Sequence, residues 1–135
     1  MVILIMNNLS QQVEDLMVAR NPRGMQTLQA ALQPGYFLRA AQLIENALAT
    51  DTAKVLIGTG FPVGNTFETD GPLGAIALYQ AIEKLGGHPV LVCGAPLADC
   101  LANDFTTYKI AVAESANREQ EARQALAQLQ PDLVL

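Results

Sequence analysis

An α/β fold, built on a parallel sheet with crossover helices and preceded by further helices, is what this sequence predicts. Three observations carry that expectation. Beyond residue 53, short apolar runs recur at 54–58, 89–93, 108–113 and 132–135. Stretches with helical spacing separate them, the alternation expected when parallel strands are joined by crossover helices. The runs are also nearly continuous in apolar character, as strands buried on both faces are. Together they describe a Rossmann-like sheet.

The first third reads as helical. Val13, Leu16, Met17 and Arg20 fall at i, i+3, i+4 and i+7, after which Asn21-Pro22-Arg23-Gly24 breaks the pattern. Ahead of them, the apolar run 2–6 is far shorter than the ~20 residues of a membrane span and has no basic region before it; it reads as a packed N-terminus. Met25, Leu28 and Leu32 repeat the helical spacing up to Pro34-Gly35. A third helix puts Phe37, Ala40, Ala41, Ile44 and Leu48 on one face and ends at Thr50-Asp51-Thr52. None of the three carries an obvious chemical group. In the sheet-forming part, helices are expected at 71–85, 96–102 and 117–129, the last opened by a capping box of Asn117 and Gln120. The chain thus reads as one domain, a helical segment 1–52 followed by the sheet-forming part 53–135. Its last run, Leu133-Val134-Leu135, has nothing after it to cover its face. Either the natural domain continues further, leaving this chain incomplete at its C-terminus, or the strand edge pairs with another copy or another chain.

Composition narrows the partners. With 135 residues, half of them apolar and 16% charged, the chain can bury a real core. Its 13 acidic and 8 basic side chains leave a net charge of −5, and no cluster of Lys or Arg is present to neutralise a nucleic-acid backbone. Neither nucleic acid nor a membrane is an expected partner. Cys93 and Cys100 form no CxxC, and His88 is the only histidine, so neither a disulfide framework nor a structural metal is signalled. A reducing cytoplasm fits best.

The stretch 58–74 carries the chemistry. The first strand runs into Gly58-Thr59-Gly60-Phe61-Pro62-Val63-Gly64-Asn65-Thr66-Phe67-Glu68-Thr69-Asp70-Gly71-Pro72-Leu73-Gly74, and apolar helical spacing then begins at Leu73, Ile76, Ala77 and Gln80. Ligands of open α/β sheets collect at such a strand-to-helix loop. Glycines let backbone N–H groups approach a ligand, and a helix start adds unpaired donors and a positive dipole end, suited to a carboxylate or phosphate. Pro72 fits a first helical turn, with Asp70 placed as an N-cap carboxylate that could also meet a ligand. Glu68 is either a solvated loop residue or a second functional carboxylate. Gly74, one turn into the helix, costs ~1 kcal/mol relative to Ala, which points to close packing on a strand or a ligand. Thr59 and Thr66 could donate hydrogen bonds to a carboxylate. The loop lacks the Gly-Lys-Ser/Thr ending of a P-loop. Its GxGxxxG spacing, and Val92-Cys93-Gly94 without an acidic residue after the next strand, depart from the dinucleotide fingerprint. A small anion is the better fit. No cofactor is signalled; two carboxylates are too few to fix a metal site, although magnesium would tolerate water as its remaining ligands.

Gly58-Thr59-Gly60-Phe61-Pro62, then Glu68-Thr69-Asp70-Gly71-Pro72-Leu73-Gly74-Ala75, then Ala81-Ile82-Glu83-Lys84-Leu85-Gly86 resemble the D-glutamate cyclase family. The resemblance extends over most of this chain and over the front half of the family's domain, whose later part carries further motifs. One departure is Cys93-Gly94 at the end of the second strand, where the family often has an acidic residue. The resemblance implies conversion of D-glutamate to 5-oxo-D-proline and water, by attack of the amine on the γ-carboxyl carbon. It implies Glu68 and Asp70 as the proton-transferring pair, with Thr59, Gly60, Phe61, Thr66, Gly71 and Gly74 around the substrate. Two other readings stand beside it: a non-catalytic module that holds a small acidic metabolite with the same loop, and a truncated, inactive homo-oligomer.

Other reactive side chains have plainer expectations. Cys93 ends an apolar strand and reads as a small buried hydrophobe. Cys100 shares a short helix with Leu97 and Leu101 and reads as core. His88 is expected in an exposed loop at the strand end opposite the site, and Lys109 as a snorkelling residue at a strand edge or end.

Overall fold

The computed structural model describes residues 2–21, 23–111 and 117–135. Pro22, in the expected break after the first helix, and Val112 and Ala113, at the end of the third expected strand, lie outside them. The chain divides into two compact units, Met1–Asn46 and Ala47–Leu135.

The first unit is helical: α1 (Val2–Val18), α2 (Met25–Ala31) and α3 (Tyr36–Ala47). Its inward face differs from the expected one. Ser10, Glu14 and Val18, at i, i+4 and i+8, are the buried positions of α1 among the described side chains, whereas Leu16 is 76% exposed and Met17 is exposed too. The packing expected of the N-terminus is not found at Leu4, Ile5 and Met6, which lie exposed in the first turns of α1. The reason is a polar network that outranks the apolar stripe. Glu14 Oε1 accepts from the Ser10 hydroxyl at 2.7 Å and the Phe37 N–H at 3.0 Å, Oε2 accepts from the Gly35 N–H at 3.1 Å, and Ser10 Oγ accepts from the Leu38 N–H at 3.0 Å. The first N–H groups of a helix have no partner within it, and its positive end favours an anion. Here a carboxylate from α1 meets those groups of α3. Burial alone would push the Glu14 carboxyl up; the Phe37 N–H, the Ser10 hydroxyl, the Gly35 N–H and the Arg39 guanidinium outweigh it and hold the group below its ordinary value.

The second unit holds the sheet. Strands β1 (Lys54–Gly58), β4 (His88–Gly94), β5 (Thr107–Ile110) and β6 (Leu133–Val134) are parallel, in the order β5-β4-β1-β6. This is the Rossmann-like α/β arrangement expected. Lys54 to Gly58 register against His88 to Val92 on one side, and Val55 and Leu56 against Leu133 and Val134 on the other. Between the strands run α4 (Asp70–Lys84), α5 (Leu97–Leu101) and α6 (Arg118–Leu129), with Asn117 accepting the Gln120 N–H at 3.1 Å as N-cap. The reciprocal bond of a capping box, from the Gln120 side chain, is absent among the described residues.

Side chains alternate across a strand. Val55 and Ile57 therefore share one face, where with Leu91 they pack on Ala75, Tyr79 and Ile82 of α4. Tyr79 stands edge-on to Phe105 at 5.2 Å and its hydroxyl accepts the Thr106 N–H at 3.2 Å. The buried face of α4 is thus Pro72, Ala75, Tyr79 and Ile82, not the expected row through Leu73, which is 70% exposed. Two overlapping rows fit the same three-and-four spacing, and the one holding the aromatic with a hydrogen-bonding partner faces the sheet. Cys93 is buried and Cys100 is exposed, which corrects the expectation of a core Cys100. A five-residue helix can turn only part of its surface inward, and Leu97 and Ala98 occupy it. His88 opens β4 exposed, its Nε2 2.9 Å from the Asp51 carbonyl, and Lys109 on edge strand β5 pairs with Asp99 at 2.7 Å.

Candidate functional site at the carboxyl end of the sheet

The strand order sets the place. From β1 the chain goes to β4 and β5 on one side, then crosses to β6 on the other, and a crevice opens at the carboxyl ends where such an order reverses. The loop leaving β1 starts there. Gly58 donates its N–H to the Leu135 carbonyl at 2.8 Å and Thr59 to that of Val92 at 3.1 Å, so both are consumed in extending the sheet. Gly60 follows with φ +80°, a region that favours glycine, and a Cβ there would overlap the Leu97 side chain. Glycine is thus required twice over at this point, for its angle and for its contact.

Residues expected to form an open loop instead form a hairpin, β2 (Pro62–Val63) against β3 (Thr66–Phe67), with Gly64 (φ +57°) and Asn65 at the turn. Phe67 anchors it by packing on Cys93, Leu97 and Ala98. Helix α4 then begins one residue early. Its N-cap is Thr69, whose side chain makes no capping bond, and Asp70 lies inside the first turn. The expected N-cap role of Asp70 is therefore corrected: backbone at Thr69 is already near helical (φ −100°, ψ −21°), and Asp70 meets the dipole as a first-turn charge.

Two adjoining lobes form the cleft. One, about 430 Å³, is lined by Gly58, Thr59, Gly60, Phe61, Pro62, Val92, Gly94 and Ile110. The other, about 480 Å³, shares Phe61, Pro62, Val92 and Ile110 and extends to Ala111 and to Arg118, Glu121, Ala122 and Ala125 of α6. Of the residues singled out in the sequence, Thr59, Gly60 and Phe61 line this cleft. Thr66, Glu68, Asp70, Gly71 and Gly74 do not.

Glu68 is nonetheless tied to the lining. Its N–H donates to the Phe61 carbonyl at 3.0 Å. Its half-buried side chain folds back on the first turn of α4, where a Cβ on Gly71 would overlap Oε1. Gly71 is thus the space in which the Glu68 carboxylate rests, beside a positive helix end. Gly74 has no such reason: an added Cβ would meet nothing within 4 Å, so the expected close packing is absent. The Cys93 thiol, beneath Gly60, is pushed up by burial and stays protonated.

Sequence reasoning missed the far wall of the cleft, Arg118 and Glu121. A usable signal existed, because the same rule that placed the site at the carboxyl ends of the strands also places the first turn of each following helix there. Glu121 accepts the Ala111 N–H through Oε1, joining α6 to the end of β5. Glu119 pairs with Arg123 at 2.7 Å. Arg118 has no ion-pair partner among the described residues. Among those residues no group of three or more His, Cys, Asp or Glu side chains is placed to share a metal ion, and no helix is long and apolar enough to cross a membrane.

Comparison with known proteins adds one finding. A family model described as D-glutamate cyclase-like, C-terminal matches residues 13–132. No curated protein and no solved structure matches the chain.

Proposed function

Because this chain belongs to the D-glutamate cyclase-like family, we propose that the cleft at the carboxyl end of β1 binds D-glutamate and closes it to 5-oxo-D-proline with loss of water. The observation that carries the reading is the hydrogen bond from the Glu68 N–H to the Phe61 carbonyl. It couples a half-buried carboxylate residue to a residue lining both lobes.

In the step, the amine nitrogen forms a bond to the γ-carboxyl carbon, one C–O bond breaks, and that oxygen leaves as water. The ammonium, with a reference pKa of about 8, is mostly charged at neutral pH. Two protons leave its nitrogen and both end on the departing water, so one group that accepts from nitrogen and donates to oxygen serves both transfers. Glu68 is the group proposed, with Asp70 as the second carboxylate. The N–H groups of Gly60 and Phe61, without backbone partners among the described residues, are proposed to meet negative charge on the reacting oxygen, assisted by the Thr59 hydroxyl. Holding the substrate bent supplies much of the remainder, since ring closure gains from fixed geometry. A cytoplasmic setting belongs to the same proposal and is supported by two unpaired cysteines, Cys93 and Cys100.

A second reading, binding without turnover, is favoured by one observation: neither Glu68 nor Asp70 lines the cleft. Substitution and calorimetry separate the two. Glu68→Gln is expected to lower turnover about 100-fold or more, the scale of a lost proton-transfer group, and Asp70→Asn to lower it less. Turnover unchanged in both variants removes the assignment. D-glutamate bound in preference to L-glutamate and phosphate, with no product formed, selects the second reading.

A further inference from the structure

We infer that Arg118 is the specificity-determining residue of the cleft, the cation that captures a ligand carboxylate from the α6 side; the inference builds on the proposed D-glutamate site but concerns recognition, not ring closure. Four observations converge on it. First, Arg118 is the only positively charged side chain among the described residues lining either lobe. Second, the chain carries a net charge of −5, so an anionic ligand approaches against the overall field and needs a local cation to hold it.

Third, the neighbouring charges among the described residues are already engaged. Glu119 is paired with Arg123, and Glu121 is bonded to the Ala111 N–H, whereas Arg118 has no ion-pair partner among the described residues. Fourth, the dipole of α6 gives no reason for an arginine here. A cation in the first turn of a helix opposes the dipole, and the acidic Glu119 and Glu121 are the residues that suit it. A bound carboxylate reverses that balance, because the guanidinium and the helix end then attract the same group. Arginine also meets a carboxylate through two parallel N–H donors, which fixes orientation as well as affinity.

The cleft then has two unlike ends joined by an apolar floor. Arg118 stands at one end, the Gly58-Thr59-Gly60 turn at the other, and Phe61, Pro62, Val92 and Ile110 belong to both lobes. The ligand class that fits is a short dicarboxylate, with its methylenes on the floor and one carboxylate at each end. For D-glutamate this assigns the non-reacting α-carboxylate to Arg118 and leaves the γ-carboxyl at the glycine turn.

The test measures binding of D-glutamate and of glutarate, a dicarboxylate that cannot cyclise, to the full chain by calorimetry. Three proteins are compared: the wild type, Arg118→Gln, and Arg123→Gln as a control of equal charge outside the cleft. Arg118→Gln is expected to weaken both ligands about 10- to 100-fold, the range for a lost hydrogen-bonded charge pair. Arg123→Gln is expected to change them less than about twofold, and Arg118→Lys to recover part of the loss. Arg118→Gln binding as the wild type does, or the two Gln variants weakening binding equally, overturns the inference, as does a wild type that binds neither ligand. Binding that depends on Arg118 without formation of 5-oxo-D-proline upholds it while refuting the cyclase reading.

Discussion

Glu68 and Gly71 form one structural unit at the residue scale, because the absent Cβ of Gly71 is what gives the Glu68 carboxylate its resting place. The clash in Gly71→Ala would fall on the far end of a flexible side chain, which can swing away. Alanine in a helix is also favoured over glycine by ~1 kcal/mol. Stability is therefore expected to hold or rise in Gly71→Ala while turnover falls with the displaced carboxylate; denaturant unfolding and the cyclase assay on one preparation check both halves. Glu14 makes a separate case. Its carboxyl lies below the ordinary value of 4.5 in the fold, so the native state binds fewer protons than the unfolded chain does. The stability it contributes is complete above about 4.5 and is lost as pH falls through the lower folded value. Unfolding measured from pH 6 to pH 3 should show the wild type losing its advantage over Glu14→Gln across that window. An advantage constant over the whole range contradicts the account.

Elements were legible where periodicity spoke. The strand at 54–58 and the helix at 117–129 stand within a residue of their expected limits, since buried parallel strands and caps leave marks in a single sequence. The β2–β3 hairpin was not legible: strands of two residues are too short to show alternation, and only Gly64-Asn65 hinted at a turn. The inward face of α1 was hidden for another reason, that the buried Ser10 and Glu14 answer to the start of α3, many residues later. The face of α4 can be tested directly. Ile82, 1% exposed against Val55 and Leu91, should cost about 2–5 kcal/mol on replacement by Ala, whereas Leu73→Ala should stay within about 0.5 kcal/mol. Equal losses in denaturant midpoint would mean that the row through Leu73 is the packed one.

At the scale of the whole molecule, the place of the site followed from the sheet alone, because the carboxyl ends of parallel strands are where such folds open. What fills the site did not. One wall is the loop after β1, visible as a run of glycines; the other is the first turn of α6, brought beside it only by the chain's crossing past β1 to β6. A single sequence shows neighbours along the chain, and Arg118 is a neighbour of Phe61 only across the fold. The family match extends over both units, from residue 13 to residue 132. The proposed closure of D-glutamate into a ring in this cleft is tested most directly by incubating the chain with D-glutamate and following the mixture by proton NMR. D-glutamate is expected to be consumed as 5-oxo-D-proline accumulates in equal amount, and Glu68→Gln to slow the change about 100-fold or more; D-glutamate left intact by the wild-type chain would contradict the proposed reaction.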